Sequence, residues 1–223
     1  MGIGGVDRPE SRPPETSHLT APSERERLIG AMAAACASVG YAQVEVDEVA
    51  RGAHLDRAAF DRQFHDKQDC ALATVDQVLA ETTRAVLDAD RPGLPEWERL
   101  LGATLALLEL FAAQPSYARL ACIEARHAMP AAAYERYTAG LRILGSLIDR
   151  IRSFAAGPAP ASATRGALGG AELLIRRELI AGRAEQLPRL LPDITYGTVV
   201  PFLDQREALG FAELAREMIR DGR

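Results

Sequence analysis

The sequence predicts an all-α fold: an N-terminal three-helix helix-turn-helix domain followed by a longer C-terminal helical domain. Three observations carry this. Apolar residues recur at i, i+3, i+4 spacing through most of the chain beyond residue 22. Breakers such as Arg91-Pro92-Gly93-Leu94-Pro95 punctuate the periodic stretches. Two short periodic segments are hinged at Arg51-Gly52-Ala53-His54-Leu55 and end in Phe60-Asp61-Arg62-Gln63-Phe64-His65-Asp66-Lys67, the order of a helix-turn-helix. With 223 residues, the chain has room for one large or two small domains. The expected division is a disordered arm over 1–21, the helix-turn-helix domain over 22–66 and the second helical domain over 67–223.

Residues 1–21 are rich in Gly, Pro, Ser and Thr without periodicity, which predicts disorder. Arg8 and Arg12 suit a minor-groove arm, but Asp7, Glu10 and Glu15 dilute their charge and favour a passive tail. Ser23 with Glu26 three residues on forms a capping box. It opens a helix whose inner face is Leu28, Ile29, Met32, Cys36 and Val39, and Gly40 stops it. Val46, Val49 and Ala50 give the next short helix an inner face. Asp56 caps the one after it, with Leu55, Phe60 and Phe64 inward. The free side of that helix carries Arg57, Ala58, Asp61, Arg62 and His65, a mixed-charge strip as wide as a DNA major groove accepts.

Lys67 begins a helix expected to reach about Asp90, roughly 34 Å long. The next runs from about Glu96 to Gln114, with Leu100, Leu101, Leu105, Leu108 and Phe111 on one broad apolar face. Pro115 opens a short helix with Tyr117, Leu120 and Ile123 inward. Pro130 opens another to Phe154, carrying Tyr134, Tyr137, Leu141, Leu144, Leu147 and Ile151, and Gly157-Pro158-Ala159-Pro160 reads as a mobile loop. The stretch Gly166 to Ile180 is small early and apolar on two sides, which suits burial against more than one neighbour. A helix around Ile194 to Leu203 follows a Pro-rich link, and a last amphipathic helix uses Leu209, Phe211, Leu214 and Met218.

Charge and composition exclude several classes. The net charge of −5 rules out a broadly basic nucleic-acid coat, so any DNA contact must be focused in one patch. No export signal opens the chain, and no uncharged run is long enough for a bilayer, which predicts a cytoplasmic protein with no membrane partner. Cys36, Cys70 and Cys122 sit far apart in periodic segments and are expected to be buried, reduced thiols. His18, His54, His65 and His127 fall in no metal-ligand spacing, and the lone pair Glu124 and His127 lacks a second pair. Gly166 to Gly170 lacks the strand and the Lys-Ser/Thr end of a nucleotide loop. With no nucleophile elbow either, no metal, cofactor or enzymatic activity is expected.

From Ser23 to Leu72 the chain resembles the DNA-binding domain of TetR-type transcriptional regulators. The resemblance rests on Gly40-Tyr41, Val44, Ala53-His54-Leu55-Asp56, Phe60-Asp61, Phe64 and Lys67, all in one unbroken register, and on the tail Asp66-Lys67-Gln68-Asp69-Cys70. Departures accompany it. Val44 and Asp61 stand where the family usually places a phosphate-touching Thr and Tyr, Glu45 and Asp56 replace Ser, and His54 replaces the turn Gly. Between Ser23 and Cys70, six basic residues face nine acidic ones, which works against phosphate neutralisation.

The resemblance implies a homodimeric regulator, a repressor that leaves a pseudo-palindromic operator when a small ligand binds. It places DNA contacts on Gln43, Glu45, Arg57, Ala58, Ala59, Asp61, Arg62, His65 and Lys67. By the makeup of pockets between helices, the ligand site is expected among Trp97, Leu101, Leu105, Leu108, Phe111, Tyr117, Ile123, His127, Tyr134, Tyr137, Leu141 and Glu172. Such walls suit a lipophilic ligand with one or two hydrogen-bonding functions. The dimer interface is expected on Ala171, Leu174, Ile175, Glu178, Leu179, Ile194, Thr198, Val199 and Phe202. The competing reading of the acidic departures is a ligand-binding or protein-interaction dimer on the same scaffold, with weak or lost DNA binding.

Overall fold

Ser23 starts the first helix, α1 (Glu24–Val39), by a reciprocal pair of bonds. Its Oγ accepts from the Glu26 N–H at 3.2 Å, and the Glu26 carboxylate accepts from the Ser23 N–H at 2.8 Å. The computed structural model describes residues 21–127, 129–152, 160 and 162–221. Arg8, Arg12, Phe154 and the expected loop positions 157–159 lie outside them, as do the side chains of His127 and Ile151. Among the described residues every regular element is helical and no strand occurs.

Gly40, at φ 80°, ends α1 where an L side chain would be strained. A 3₁₀ turn (Tyr41–Gln43) leads to α2 (Val46–Gly52). Here α2 closes in a Schellman motif: the His54 N–H bonds Arg51 O at 3.0 Å and the Leu55 N–H bonds Ala50 O at 2.9 Å. The motif needs one left-handed residue, and His54 supplies it at φ 56°. Asp56 then caps α3 (Arg57–Gln63), accepting from the Ala59 N–H at 2.8 Å. Phe60 and Phe64 pack ring to ring at 5.6 Å and fill the space under the hinge. The core they join also holds Leu28, Met32, Val49, Cys70 and Val75. Val39, expected inside, is exposed at the last turn of α1.

The long α4 (Lys67–Ala89) packs on α1 and on a later helix, Ala131–Ile151. Then come α5 (Glu96–Ala113), α6 (Pro115–Arg119), a π-helical turn (Leu120–Glu124), α7 (Ala125–His127), α8 (Ala131–Ile151), α9 (Ala163–Ile180), a 3₁₀ segment (Ala184–Leu190), α10 (Leu191–Val199) and α11 (Gln205–Arg220). Asp90 ties three of these ends together, accepting from Arg99 Nε at 2.6 Å and from Arg150 at 3.0 Å. A second core joins α5 to α9 and α10, and a third joins α5, α8, α9 and α11.

The last helix corrects an expectation. Its inner face is Ala208, Ala212 and Ala215, at i, i+4, i+7, while Leu209 and Leu214 are exposed and Phe211 and Met218 are half-buried. Small alanines let α11 lie close against α10, a contact that larger side chains on that stripe would prevent. No described helix is long and apolar enough to cross a membrane.

Candidate nucleic-acid interface and internal cavity

The outer face of α3 presents Arg57, Ala58, Asp61, Arg62 and, just beyond its end, His65 to solvent. Gln43 and Glu45, in the segment that leads into α2, are also exposed. Both arginines are already held by carboxylates. Arg57 bonds Asp61 at 2.8 Å along its own helix and Asp47 of α2 at 3.2 Å, while Arg62 reaches Glu24 of α1 at 3.3 Å. These side chains are exposed, Glu24 only partly, so the pairs are screened and exchangeable.

Two expected contacts take another role. Ala59 is 2 % exposed, because the face that follows Phe60 inward carries it into the core. The Lys67 ammonium stands 3.3 Å from Tyr41 O and 3.0 Å from Val44 O, and over the Tyr41 ring at 4.8 Å. It therefore ties the 3₁₀ turn to the start of α4. Val44 is fully buried, so its apolar side chain belongs to the core. Arg25 stacks on Phe64 at 4.6 Å, and Arg27 donates to Ala53 O at 3.2 Å, closing the end of α2.

The segment from α6 through the π-helical turn touches the helix-turn-helix on one side and a cavity on the other. Arg119 donates from Nε to Ala37 O at 3.1 Å and from a terminal nitrogen to Leu179 O at 3.2 Å, joining the ends of α1 and α9. Glu124, 8 % exposed, accepts from the Tyr41 N–H at 2.9 Å. Between these two ties, Ala121 and Cys122 form part of the cavity wall. A π turn inserts one extra residue per hydrogen-bonded ring, which rotates these neighbours to face in two directions.

The cavity, of about 120 Å³, lies among α4, α5, the π turn, α8, α9 and α10. Its walls are mostly Leu, Ile, Ala and Phe, with Thr82 and Glu172 as the deeply buried polar side chains of α4 and α9. Glu172 Oε2 accepts from Tyr137 Oη at 2.5 Å and from Arg126 at 2.7 Å. Glu172 Oε1 and Thr82 Oγ1 are buried without a hydrogen-bond partner. Burial foremost, then Glu172, pushes the Tyr137 phenol well above its ordinary range, so Tyr137 stays a donor. Burial and the same carboxylate push the Cys122 thiol up to about 12. A wider outer groove of about 610 Å³ shares Tyr137, Leu141, Leu168 and Glu172 with the cavity and is flanked by Arg126, Arg142 and Arg165.

Of the expected ligand residues, Leu108, Phe111, Tyr137, Leu141 and Glu172 line this cavity. Tyr134 stands in the outer groove and stacks on Tyr137 at 6.2 Å. Trp97 packs on Phe211 at 6.3 Å instead, Leu101 and Leu105 are buried in the second core with Ile123 against it, and Tyr117 packs on the first core. Tyr134, expected inward, is 48 % exposed; for the others periodicity points inward but carries no signal for which inward face adjoins a void. The missed wall residues include Thr82, Thr83 and Thr104, whose methyl groups let them sit on apolar faces.

Most of the expected dimer residues have little surface left for a partner. Ile175, Glu178, Leu179, Ile194, Thr198, Val199 and Phe202 are buried within the single chain, and Ala171 and Leu174 are half-buried. Ala171, Ile175, Ile194 and Thr198 line the cavity, and Glu178 is held by Arg183 at 2.7 Å and Arg177 at 2.9 Å. The exposed apolar residues of α9 are Leu173 and Ile180, at 66 % and 67 % and two turns apart on one side.

No protein-family model matches the sequence, and no curated protein does. Solved structures match by fold. The fatty acid degradation regulator FadR of Bacillus halodurans aligns with 81 % of this chain and 96 % of its own, at TM-score 0.70 and 14 % identity. A γ-butyrolactone receptor, an ArpA-like protein, aligns with 87 % of this chain and 96 % of its own, at TM-score 0.66 and 19 % identity. A regulatory protein of the TetR family from Rhodococcus RHA1 aligns with 89 % of this chain and 97 % of its own, at TM-score 0.56 and 19 % identity.

Proposed function

We propose that this chain, which has the fold of TetR-type transcription regulators, is a homodimeric DNA-binding repressor released from its operator by a small apolar ligand. One observation carries the reading. The segment that walls the apolar cavity also holds the helix-turn-helix, through Arg119 to Ala37 and Glu124 to Tyr41. A ligand that moves Ala121 and Cys122 shifts the backbone to which α1 is tied. Release is then a population shift toward a spacing of the two recognition helices that no longer matches successive major-groove turns, about 34 to 36 Å apart. Neighbours of this fold include a γ-butyrolactone receptor and a regulator of fatty acid degradation, both consistent with a lipophilic effector.

On that face, Arg57 and Arg62 are the residues proposed to read bases, with Gln43, Glu45, Ala58, Asp61 and His65 around them. Their exposed ion pairs cost little to exchange for phosphate or guanine contacts, because such pairs contribute little in water. The acidic surroundings favour a selective grip over a tight non-specific one. For the dimer, Leu173 and Ile180 of α9 are the proposed contact residues, since their neighbours on the same helix are spent inside the chain.

The test is selection of bound sequences from randomised duplex, followed by titration of the selected site with Arg57→Ala and Arg62→Ala proteins. Each variant is expected to lose roughly tenfold or more in affinity and to relax the sequence preference. Unchanged binding by both removes them from the reading role. Failure to select any sequence favours the scaffold reading, in which the carboxylates around Arg57 and Arg62 have silenced the DNA face.

A further inference from the structure

Glu172 is the side chain whose surroundings ask for a missing partner. It is 7 % exposed and belongs to the walls of both the inner cavity and the outer groove. Both of its donors, the Tyr137 hydroxyl and the Arg126 guanidinium, bond Oε2. Its other oxygen, Oε1, is buried and unpaired. A carboxylate oxygen is an acceptor only, and leaving one unpaired in an apolar wall is unfavourable. A donor carried by the occupant of the cavity removes that penalty.

We propose that the cavity binds a small apolar molecule bearing a hydroxyl group, such as a phenol or a short-chain alcohol, which donates to Glu172 Oε1. The proposal deepens the regulator reading, on which it rests for its biological role, by naming the effector's chemistry. Charge selects a neutral donor. Arg126 already balances the Glu172 carboxylate, so an ammonium group adds an uncompensated charge in an apolar space. A carboxylate or phosphate on the ligand is repelled by Glu172 at this point. Size selects a single ring or a short chain, because about 120 Å³ is close to the ~150 Å³ of an engineered apolar cavity that holds benzene. Thr82 Oγ1, also buried and unpaired on the α4 wall, offers a second contact to a ligand with an acceptor at its far end.

The experiment is titration calorimetry of the full chain with p-cresol and with toluene, which differ by one hydroxyl. Wild type is expected to bind p-cresol about tenfold or more tightly than toluene, the size of a hydrogen bond to a charged group. In Glu172→Leu protein the ratio is expected to fall to within about threefold. Should that variant not fold, Glu172→Gln, which keeps a neutral acceptor, is expected to reduce the ratio measurably. Equal affinities in wild type, a ratio indifferent to the Glu172 changes, or no binding of either compound up to its solubility would overturn the proposal. None of these results involves DNA, so they stand apart from success or failure of operator binding.

Discussion

Replacing Glu124 by Ala removes the tie between the π-helical turn and the helix-turn-helix, and its cost follows from the geometry. Glu124 is buried, and its carboxylate accepts from the Tyr41 N–H at 2.9 Å across 83 residues of sequence. A hydrogen bond to a charged group contributes about 1.5–3 kcal/mol, and its loss orphans one backbone N–H. Tyr41 is only half-buried, so water recovers part of that penalty and the lower half of the range applies. For a chain of this length 1 kcal/mol moves the melting temperature by about 2–4 °C, which gives an expected fall of roughly 3–9 °C. Circular dichroism melting reads it, and hydrogen exchange at the Tyr41 amide should quicken in the same protein. Glu124→Gln keeps an acceptor and should lose less. A Glu124→Ala melting temperature within 1 °C of wild type would refute the tie, and with it the route proposed from cavity to DNA face.

Four further outcomes are expected. Asp61→Asn frees Arg57 of one partner and removes a negative charge from the proposed DNA face, so binding to random duplex at low salt should tighten about two- to tenfold; unchanged binding would show that α3 does not meet the duplex. His54→Gly relieves a left-handed non-glycine residue and should raise the melting temperature by about 2–4 °C, whereas a fall would mean that the imidazole makes a contact worth more than the strain. Arg99 foremost, and then Arg150, hold the Asp90 carboxyl below its ordinary value of 3.8. A lowered folded pKa stabilises above the unfolded pKa and is lost as pH falls through the folded one. Asp90→Asn should therefore cost about 1–3 kcal/mol at pH 7, and that difference should shrink below about pH 4; a pH-independent difference in denaturant midpoints would contradict the pairing. Burial pushes Cys36, Cys70 and Cys122 up to about 12, so an aromatic disulfide reagent at pH 8 should find no reactive thiol until denaturant is added.

Much of this molecule was legible because local chemistry announces itself. Ser23 with Glu26, Asp56 and the prolines at 95, 115 and 130 mark helix starts without any knowledge of tertiary contacts. The hinge was legible from the short periodic segments on either side of it, although the left-handed turn residue is His54 rather than glycine. Side-chain destinations were harder to read. A helix apolar on two sides, such as α9, does not reveal which side meets its own chain. Ile175 and Leu179 therefore went to the core or the cavity, while Leu173 and Ile180 were left outside. In α11 the inner stripe is alanine, invisible beside the more hydrophobic but exposed Leu209 and Leu214. The cavity itself depends on what the packing leaves unfilled, which no periodic pattern encodes, although Tyr137 and Glu172 were identifiable as polar residues on apolar faces.

The most direct measurement of a regulatory role is fluorescence anisotropy of the protein on DNA from upstream of its own gene, against scrambled duplex, at low and physiological salt. Saturable binding to the upstream duplex is expected, selective over the scrambled one and weakening steeply with salt. Equal binding to both duplexes, or binding to neither, would contradict operator recognition at that site and leave the fold as a ligand-binding scaffold.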